Sequence, residues 1–177
     1  GEWLKKDFEG VELFGKTLGI IGFGRIGSTI GQTAAAVGMR IMACCLFRIP
    51  ETIRIIGGEL LVMDDIIEKS DFITIHTPLT DETRGMINAE AFARMKDGVY
   101  IICTARGGII DEKALLDALN SGKVAGAALD VFETEPPVFK ELINHPKVIA
   151  TPHMGGQTNE AQRRASPRGR GGECGEL

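Results

Sequence analysis

Short runs of apolar and β-branched residues recur along this chain and are separated by segments in which polar residues interrupt the pattern. Continuous apolar runs of this length are typical of strands that are covered on both faces of a sheet. The runs predict six strands, at residues 17–22, 39–45, 72–76, 99–103, 125–130 and 148–150.

Between these runs, apolar residues recur at helical spacing. The spacing predicts helices over residues 25–37, 64–69, 89–95 and 112–120. Asp111 is a candidate N-cap for the last of these helices. Its buried face is expected to contain Ala114, Leu115, Ala118 and Leu119. Regular alternation of strand and helix predicts an α/β fold with a doubly wound parallel sheet and right-handed crossovers.

Composition agrees with one soluble globular domain. The chain has 177 residues, of which 44% are hydrophobic and 25% are charged. The net charge is −4, so nucleic acid is not an expected partner, and no apolar stretch reaches the length that a membrane span requires. The four cysteines, at positions 44, 45, 103 and 174, fit neither a zinc site nor a disulfide framework. We therefore expect a cytoplasmic protein without a bound metal.

The two ends of the chain differ from its body. Residues 1–163 form the predicted dinucleotide-binding domain. Residues 164–177 are rich in arginine, glycine and proline, cannot bury an apolar face and are expected to be disordered. The chain begins without methionine in a short amphipathic stretch, which predicts a fragment of a longer protein.

A glycine-rich turn follows the first predicted strand. Gly22, Gly24 and Gly27 fit the pattern G-x-G-x-x-G where a strand ends and a helix begins. In this pattern the first glycine permits a tight turn, the second lets a pyrophosphate approach the backbone, and the third lets the helix pack on the strand. The phosphates would lie at the positive end of the helix. The pattern predicts a Rossmann-type nucleotide-binding domain.

The second strand lacks the acid that such domains use to bind the adenosine ribose, about 20 residues after the glycines. Cys45 ends that strand, and Arg48 follows three residues later. A thiol cannot accept two hydroxyl hydrogen bonds as a carboxylate does. NAD is the expected cofactor, and Cys45 with Arg48 makes NADP the alternative.

Three chemically potent residues follow later strands, namely Arg106 in T-A-R-G-G, Glu135 in E-T-E-P-P and His153 in T-P-H-M-G-G. The carboxyl ends of parallel strands face one crevice, so we expect these side chains at a common site. An arginine suits a carboxylate, and an imidazole with a carboxylate partner suits proton transfer near neutral pH. By contrast, His76 and His145 are interpreted as structural.

Taken together, these motifs resemble the D-isomer-specific 2-hydroxyacid dehydrogenases, over roughly residues 1–163. The resemblance rests on E-L-F-G-K-T-L-G-I-I-G-F-G-R-I-G, H-T-P-L-T, A-R-G-G-I-I-D-E, A-A-L-D-V-F-E-T-E-P-P and T-P-H-M-G-G-Q-T-N-E-A-Q. It implies that Arg106 binds the substrate carboxylate and that His153 takes the C2-hydroxyl proton. Glu135 would hydrogen-bond His153, fix its tautomer and favour its protonated form. Hydride would pass from C2 to the nicotinamide.

The resemblance also implies a set of residues along the cofactor. These are Gly22, Gly24, Arg25, Ile26, Gly27, Cys45, Thr77, Thr104, Ala105, Arg106, Asp130, His153, Gly155 and Gly156, with Asp130 near the nicotinamide amide. Cys45 departs from the family, which usually carries an Asp there. The small-molecule substrate would be a 2-hydroxyacid, and the members that oxidise 3-phosphoglycerate for L-serine synthesis look most similar.

Three alternatives stay open at this point. The first is reduction of glyoxylate or hydroxypyruvate with the same three residues, and the second is a co-repressor that senses NAD. The third is a cofactor-binding fragment with little turnover, because the family builds a separate substrate-binding domain from segments that this chain lacks. A homodimer is expected through this domain, with Trp3 and Phe8 as candidate contacts.

Overall fold

The computed structural model describes residues 10–45 and 52–165. These residues form one seven-stranded sheet in which every neighbouring pair of strands is parallel, in the order β3-β2-β1-β4-β5-β6-β7. The strands are β1 Thr17–Ile21, β2 Arg40–Cys44, β3 Glu59–Leu60, β4 Phe72–Ile75, β5 Val99–Cys103, β6 Val124–Leu129 and β7 Val148–Ala150. The predicted α/β fold with a doubly wound parallel sheet is confirmed.

The six predicted strands are all present, two of them with the predicted bounds. Four others end one residue earlier than predicted, and the residues left outside them are Gly22, Cys45, His76 and Asp130. Each of these residues therefore begins a loop at the carboxyl edge of the sheet. The order of strands reverses between β1 and β4, which opens a crevice at that edge.

The described residues form seven helices, of which six connect consecutive strands and the seventh follows β7. They are α1 Arg25–Ala36, α2 Thr52–Ile55, α3 Met63–Lys69, α4 Ala89–Arg94, α5 Glu112–Ser121, α6 Lys140–Ile143 and α7 Asn159–Ala165. The predicted cap of α5 is confirmed, because the Asp111 side chain accepts a hydrogen bond from the Ala114 N–H at 2.9 Å. Gly122 ends α5 in the left-handed conformation.

Four short elements have no counterpart among the predicted elements: β3, α2, α6 and α7. β3 has two residues and pairs only with Met42 and Ala43 of β2. α2 and α6 have four residues each, too few to show a helical period.

Apolar side chains form one cluster on each side of the sheet. Ile20, Ile41 and Ala43 pack in the smaller cluster with Ala34 of α1. The larger cluster includes Ile73, Ile101 and the predicted apolar face of α5, namely Ala114, Leu115, Ala118 and Leu119. This buried core holds the strand ends rigidly, so the loops that follow them have fixed starting points.

The cysteines behave as expected within the described part of the chain. Cys44 and Cys103 are buried and Cys45 is half-buried, and all three are free thiols. Burial raises the pKa of the Cys44 thiol to about 11, so it stays protonated near neutral pH. Predictions for Trp3, Phe8, Arg48 and Cys174 fall outside the described residues. Of the segment 164–177, which was predicted to be disordered, Arg164 and Ala165 instead end α7, and residues 166–177 lie outside the described residues. No helix among residues 10–45 and 52–165 is long and apolar enough to cross a membrane.

Candidate active site

The glycine turn after β1 packs against the loop after β4 with no room for side chains. Gly22 has a φ of 96°, and a Cβ there would lie 2.7 Å from the carbonyl carbon of His76. A Cβ on Gly27 would lie 2.3 Å from the carbonyl oxygen of Gly22. Two of the three predicted glycine roles, the tight turn and the close packing of helix on strand, are therefore visible in the geometry.

The second glycine of the pattern, Gly24, faces open space. A Cβ on Gly24 would meet no atom within 4 Å, and Gly24 precedes α1 without any side-chain cap. No acidic side chain occupies the first turn of α1, and Arg25 and Ile26 begin the helix with exposed side chains. An exposed backbone at an uncapped helix N-terminus suits a bound pyrophosphate.

A cavity of about 250 Å³ lies beside this turn, at the crevice. The Thr77 hydroxyl oxygen is buried and has no hydrogen-bond partner among the described residues. A buried polar atom without a partner is unusual and indicates that a polar ligand completes the site. The lining residues are Ile26, His76, Thr77, Pro78, Thr104, Ala105 and Arg106.

His76 and Pro78 line this cavity although the sequence did not place them there. The His76 ring contacts the Thr74 hydroxyl through Nε2 at 2.9 Å, and burial lowers the pKa of His76. A neutral imidazole near neutral pH agrees with the structural role predicted for His76. Both residues flank Thr77 in the sequence H-T-P, from which only Thr77 was predicted to line the cofactor site.

Cys45 lies at the carboxyl end of β2, next to the glycine turn. The Gly22 N–H donates to the carbonyl oxygen of Cys44 at 3.0 Å, which fixes the two segments side by side. The Cys45 side chain is half-buried. The glycine pattern expects a carboxylate at the end of this strand, where the chain has the thiol of Cys45.

Arg106 follows β5 and is exposed at the mouth of the crevice. One of its terminal nitrogens donates to the carbonyl oxygen of Ala105 at 2.6 Å. Within the described residues no carboxylate pairs with Arg106, although six ion pairs form between other lysine or arginine side chains and carboxylates. Its guanidinium is thus available to an anionic ligand.

His153 and Glu135 form a direct pair. His153 Nδ1 lies 2.8 Å from Glu135 Oε2, and Glu135 Oε1 accepts the Phe132 N–H at 3.2 Å. The hydrogen bond from His153 and then that from Phe132 lower the pKa of Glu135, so this carboxyl is ionised near neutral pH. With Nδ1 directed at the carboxylate, Nε2 is the ring nitrogen that remains for a substrate.

Asp130 holds the loop that carries His153. Oδ1 accepts hydrogen bonds from the Thr151 hydroxyl at 2.5 Å and from the Met154 N–H at 2.8 Å, and Oδ2 accepts the Gly155 N–H at 2.8 Å. Burial by itself raises the pKa of Asp130, but these hydrogen bonds outweigh it and the pKa is lowered. His153, between these contacts, has a φ of 51°. Gly156 borders open space beside the same loop.

A second cavity, of about 230 Å³, lies against the histidine–glutamate pair. Its apolar walls could not be predicted from spacing, although the prolines of E-T-E-P-P and T-P-H form most of them. The lining residues are Phe132, Glu135, Pro136, Pro137, Pro152 and His153. The catalytic candidates thus divide between two cavities that share no lining residue, with Arg106 in the first and Glu135 and His153 in the second.

Comparison with known families agrees with this geometry. The model of the family described as "D-isomer specific 2-hydroxyacid dehydrogenase, NAD binding domain" matches residues 1–155. The chain belongs to this family. The match covers the glycine turn, Arg106, Glu135 and His153, so the fold and the candidate site lie within the family's NAD-binding domain.

Relatives within the family carry several names. A D-3-phosphoglycerate dehydrogenase of Bacillus subtilis is 55% identical over 161 residues, which are 91% of this chain and 31% of that protein. A hydroxypyruvate reductase of Thermotoga maritima is 51% identical over 167 residues, 93% of this chain and 54% of that protein. The chain spans about a third to a half of the length of these relatives.

Solved structures of family members have the same fold. A glyoxylate reductase from Paecilomyes thermophila superposes with a TM-score of 0.82 at 42% identity, over 88% of this chain and 47% of that one. D-lactate dehydrogenase with NAD+ from Lactobacillus jensenii gives a TM-score of 0.82 at 32% identity, over 89% of this chain and 51% of that one.

Proposed function

We propose that the chain binds NAD(H) in the crevice and provides the catalytic residues for hydride transfer at C2 of a 2-hydroxyacid. The 2.8 Å contact between His153 and Glu135 carries this proposal, because it supplies an oriented acid–base beside a crevice shaped for a dinucleotide. The bound nicotinamide would supply the hydride acceptor. The alternative of a co-repressor that senses NAD receives no support from any relative named above.

The residues of the crevice fit the cofactor. The open backbone at Gly24 and the first turn of α1, with Arg25 and Ile26, would hold the pyrophosphate. The unpartnered Thr77 hydroxyl would bond the cofactor, which runs on past Thr104 and Ala105. Gly155 and Gly156 would border the nicotinamide end, and Asp130 would face its amide.

Three side chains would act on the substrate. Arg106 would bind its carboxylate with the planar guanidinium and polarise the C2 oxygen. His153 would take the C2-hydroxyl proton on Nε2 during oxidation and return it during reduction. Glu135 would accept the Nδ1–H, which fixes the tautomer and stabilises the positive charge that forms on the ring.

For the substrate, 3-phosphoglycerate is the first candidate, which would place the chain in L-serine synthesis. The Bacillus subtilis relative and the 50% identical one from Methanocaldococcus jannaschii both carry the phosphoglycerate dehydrogenase name. Hydroxypyruvate is the second candidate, because the Thermotoga maritima relative is nearly as similar over the same span. Both reactions use the same arginine, glutamate and histidine.

Cys45 bears on the choice between NAD and NADP. Without a carboxylate at this position, the adenosine ribose loses an acceptor and a 2′-phosphate meets no repelling charge from this residue. We therefore propose NAD as the cofactor with weakened rejection of NADP. Dimerisation through this domain and a cytoplasmic location stay predictions.

The test has a binding arm and a turnover arm. Calorimetric titration of the chain with NADH and NADPH should give saturable binding to both. Turnover is measured in a chimera in which this chain replaces the 161 aligned residues of the Bacillus subtilis relative, with 3-phosphoglycerate and with hydroxypyruvate. We expect His153→Asn to lower kcat by about a thousand-fold while NADH affinity changes little. Absence of NADH binding, or full turnover by His153→Asn, would contradict the proposal.

A further inference from the structure

The loop that carries Glu135 begins with Val131 and Phe132, which are buried in the core, but within the described residues it has few hydrogen bonds to the rest of the domain. It runs from the end of β6 through Pro136 and Pro137 to α6. Within the described residues, two hydrogen bonds join residues 131–137 to parts of the chain other than residues 130–140. One is the pair between Glu135 and His153, and the other joins the Glu133 N–H to the Glu112 carboxylate at 2.7 Å. Among the described residues, the hydrogen bond to Glu112 is therefore the one hydrogen-bond anchor of residues 133–135 outside their own loop besides the contact with His153.

The group that Glu112 holds is the peptide between Phe132 and Glu133. The N–H of this peptide donates to Glu112 Oε1, in the first turn of α5. The carbonyl of the same peptide lies against Gly107, where a Cβ would come within 1.8 Å of the Phe132 oxygen and 2.1 Å of its carbon. One peptide group is thus held by α5 on one side and by the arginine loop on the other.

Gly107 directly follows Arg106, and Glu135 lies two residues after Glu133. The held peptide consequently connects the loop that presents the anion-binding arginine to the loop that presents the partner of the histidine. A cavity of about 390 Å³ borders Glu112, Glu133 and Thr134. The loop therefore has open space into which it can move if the anchor is removed.

We infer that Glu112 is a positioning residue that sets the location of Glu135, and through it of His153, relative to Arg106. It acts through the oxygen that receives the Glu133 N–H, and its negative charge is not what the contact requires. Glu112 does not line the cavity of about 250 Å³ beside Arg106 or the cavity of about 230 Å³ beside His153. The pocket that it shares with Arg106 has a volume of only about 10 Å³, too small for a substrate. This inference rests on the proposed function, because only the proposed roles give the spacing of these residues a catalytic meaning.

The burial of Glu112 is consistent with a role that depends on the length of its side chain and not on its charge. Glu112 is half-buried, and burial raises the pKa of its carboxyl, with Glu133 and Asp111 as further negative neighbours. The charge is thus a cost at this place, whereas the hydrogen bond from Glu133 offsets part of it. A neutral side chain of the same length should hold the peptide equally well.

Two substitutions of Glu112 separate the effect of side-chain length from the effect of charge. Glu112→Gln keeps the oxygen at the same distance and removes the charge, whereas Glu112→Asp keeps the charge and is one methylene too short. Glu112→Ala removes both. Asp117→Asn, on the same helix and in an exposed ion pair with Lys113, serves as the matched control. Thermal melting by circular dichroism confirms that each variant is folded, and Gln and Asp carry the test if Ala is not.

The measurement is the Glu135 carboxyl titration in the 177-residue chain, followed by ¹³C NMR. His153 and Phe132 lower the pKa of Glu135 in the wild-type chain. We expect this lowering to persist in Glu112→Gln and Asp117→Asn and to be reduced in Glu112→Asp and Glu112→Ala, because the contact with His153 weakens whereas the bond from Phe132 lies within the loop. In the chimera, kcat of Glu112→Asp should be about ten- to a hundred-fold below the wild-type value, whereas kcat of Glu112→Gln should stay near the wild-type value.

Three results would overturn the inference. The first is a Glu135 pKa in Glu112→Ala that equals the wild-type value. The second is a Glu135 pKa that rises in Glu112→Gln but stays low in Glu112→Asp. The third is an equal rise of the Glu135 pKa in the Asp117→Asn control. The NMR titration needs no cofactor or substrate. A failure of the proposed function, seen as absent NADH binding, is therefore distinguishable from a failure of this inference.

Discussion

Replacing Asp130 by asparagine should destabilise the loop that carries His153. The carboxylate accepts three hydrogen bonds from this loop, and Asp130 is only 5% exposed. Asparagine keeps one acceptor oxygen and turns an N–H₂ toward the remaining donors. At least one N–H of the loop then faces another donor, and the hydrogen bonds that survive no longer end on a charge.

The magnitude follows from these contacts. Loss of one charge-assisted hydrogen bond costs about 1.5–3 kcal/mol, and conversion of the others to neutral bonds adds to this. Water can reach part of the loop, because Gly155 is exposed and Met154 is 52% exposed, and this lowers the total. We expect the free energy of unfolding of Asp130→Asn to fall by about 2 kcal/mol.

Urea denaturation at neutral pH, followed by circular dichroism, measures this change. Thr151→Val is the matched control, since it removes one of the three donors and leaves the carboxylate, and should cost about 1 kcal/mol. Because the pKa of Asp130 is lowered in the folded chain, its contribution is present above the ordinary aspartate pKa and is lost as pH falls through the folded value. The difference in the free energy of unfolding between wild type and Asp130→Asn should therefore become smaller in acid. A change below about 0.5 kcal/mol at neutral pH would refute the reasoning.

Four further outcomes are expected. Cys45→Asp should tighten NADH binding by about ten- to a hundred-fold and weaken NADPH binding, as calorimetry can show. Gly24→Ala should leave stability within about 0.5 kcal/mol, since its Cβ meets no atom, yet weaken NADH binding. Gly27→Ala should lower the free energy of unfolding by about 1–3 kcal/mol, because its Cβ would lie 2.3 Å from the Gly22 oxygen. Because the pKa of Glu135 is lowered in the folded chain, its stabilising contact is present above the ordinary glutamate pKa and is lost as pH falls through the folded value. The free energy of unfolding of Glu135→Gln should therefore depend less on pH in this range than that of the wild type.

Much of the fold could be predicted because most of its strands are largely buried apolar runs of four to six residues. The segments 99–103 and 148–150 have the predicted bounds, and the other four predicted strands shift by one residue at one or both ends. Periodicity detects such elements since several residues share one environment. β3 has only Glu59 and Leu60, and its pairing with Met42 and Ala43 is a tertiary contact that no local pattern encodes.

The site divides in the same way. The order of Arg106, Glu135 and His153 after successive strands was enough to expect them together, and the Glu135–His153 contact is confirmed. The anchors of these residues could not be found from the sequence. Glu112 looked like an ordinary first residue of a helix, and its partner Glu133 is 21 positions away. Such contacts depend on how two loops meet at the sheet edge, which spacing does not determine.

The central claim is that NAD(H) binds at the carboxyl edge of the sheet, beside the histidine–glutamate pair. Amide chemical-shift mapping of the ¹⁵N-labelled chain during titration with NADH tests it directly. We expect saturable shifts at Gly24, Thr77, Ala105 and His153 and none at Asp71, which lies at the opposite edge and binds the Thr17 N–H and Lys96. Shifts confined to the Asp71 edge, or no saturation at about 1 mM NADH, would contradict the claim.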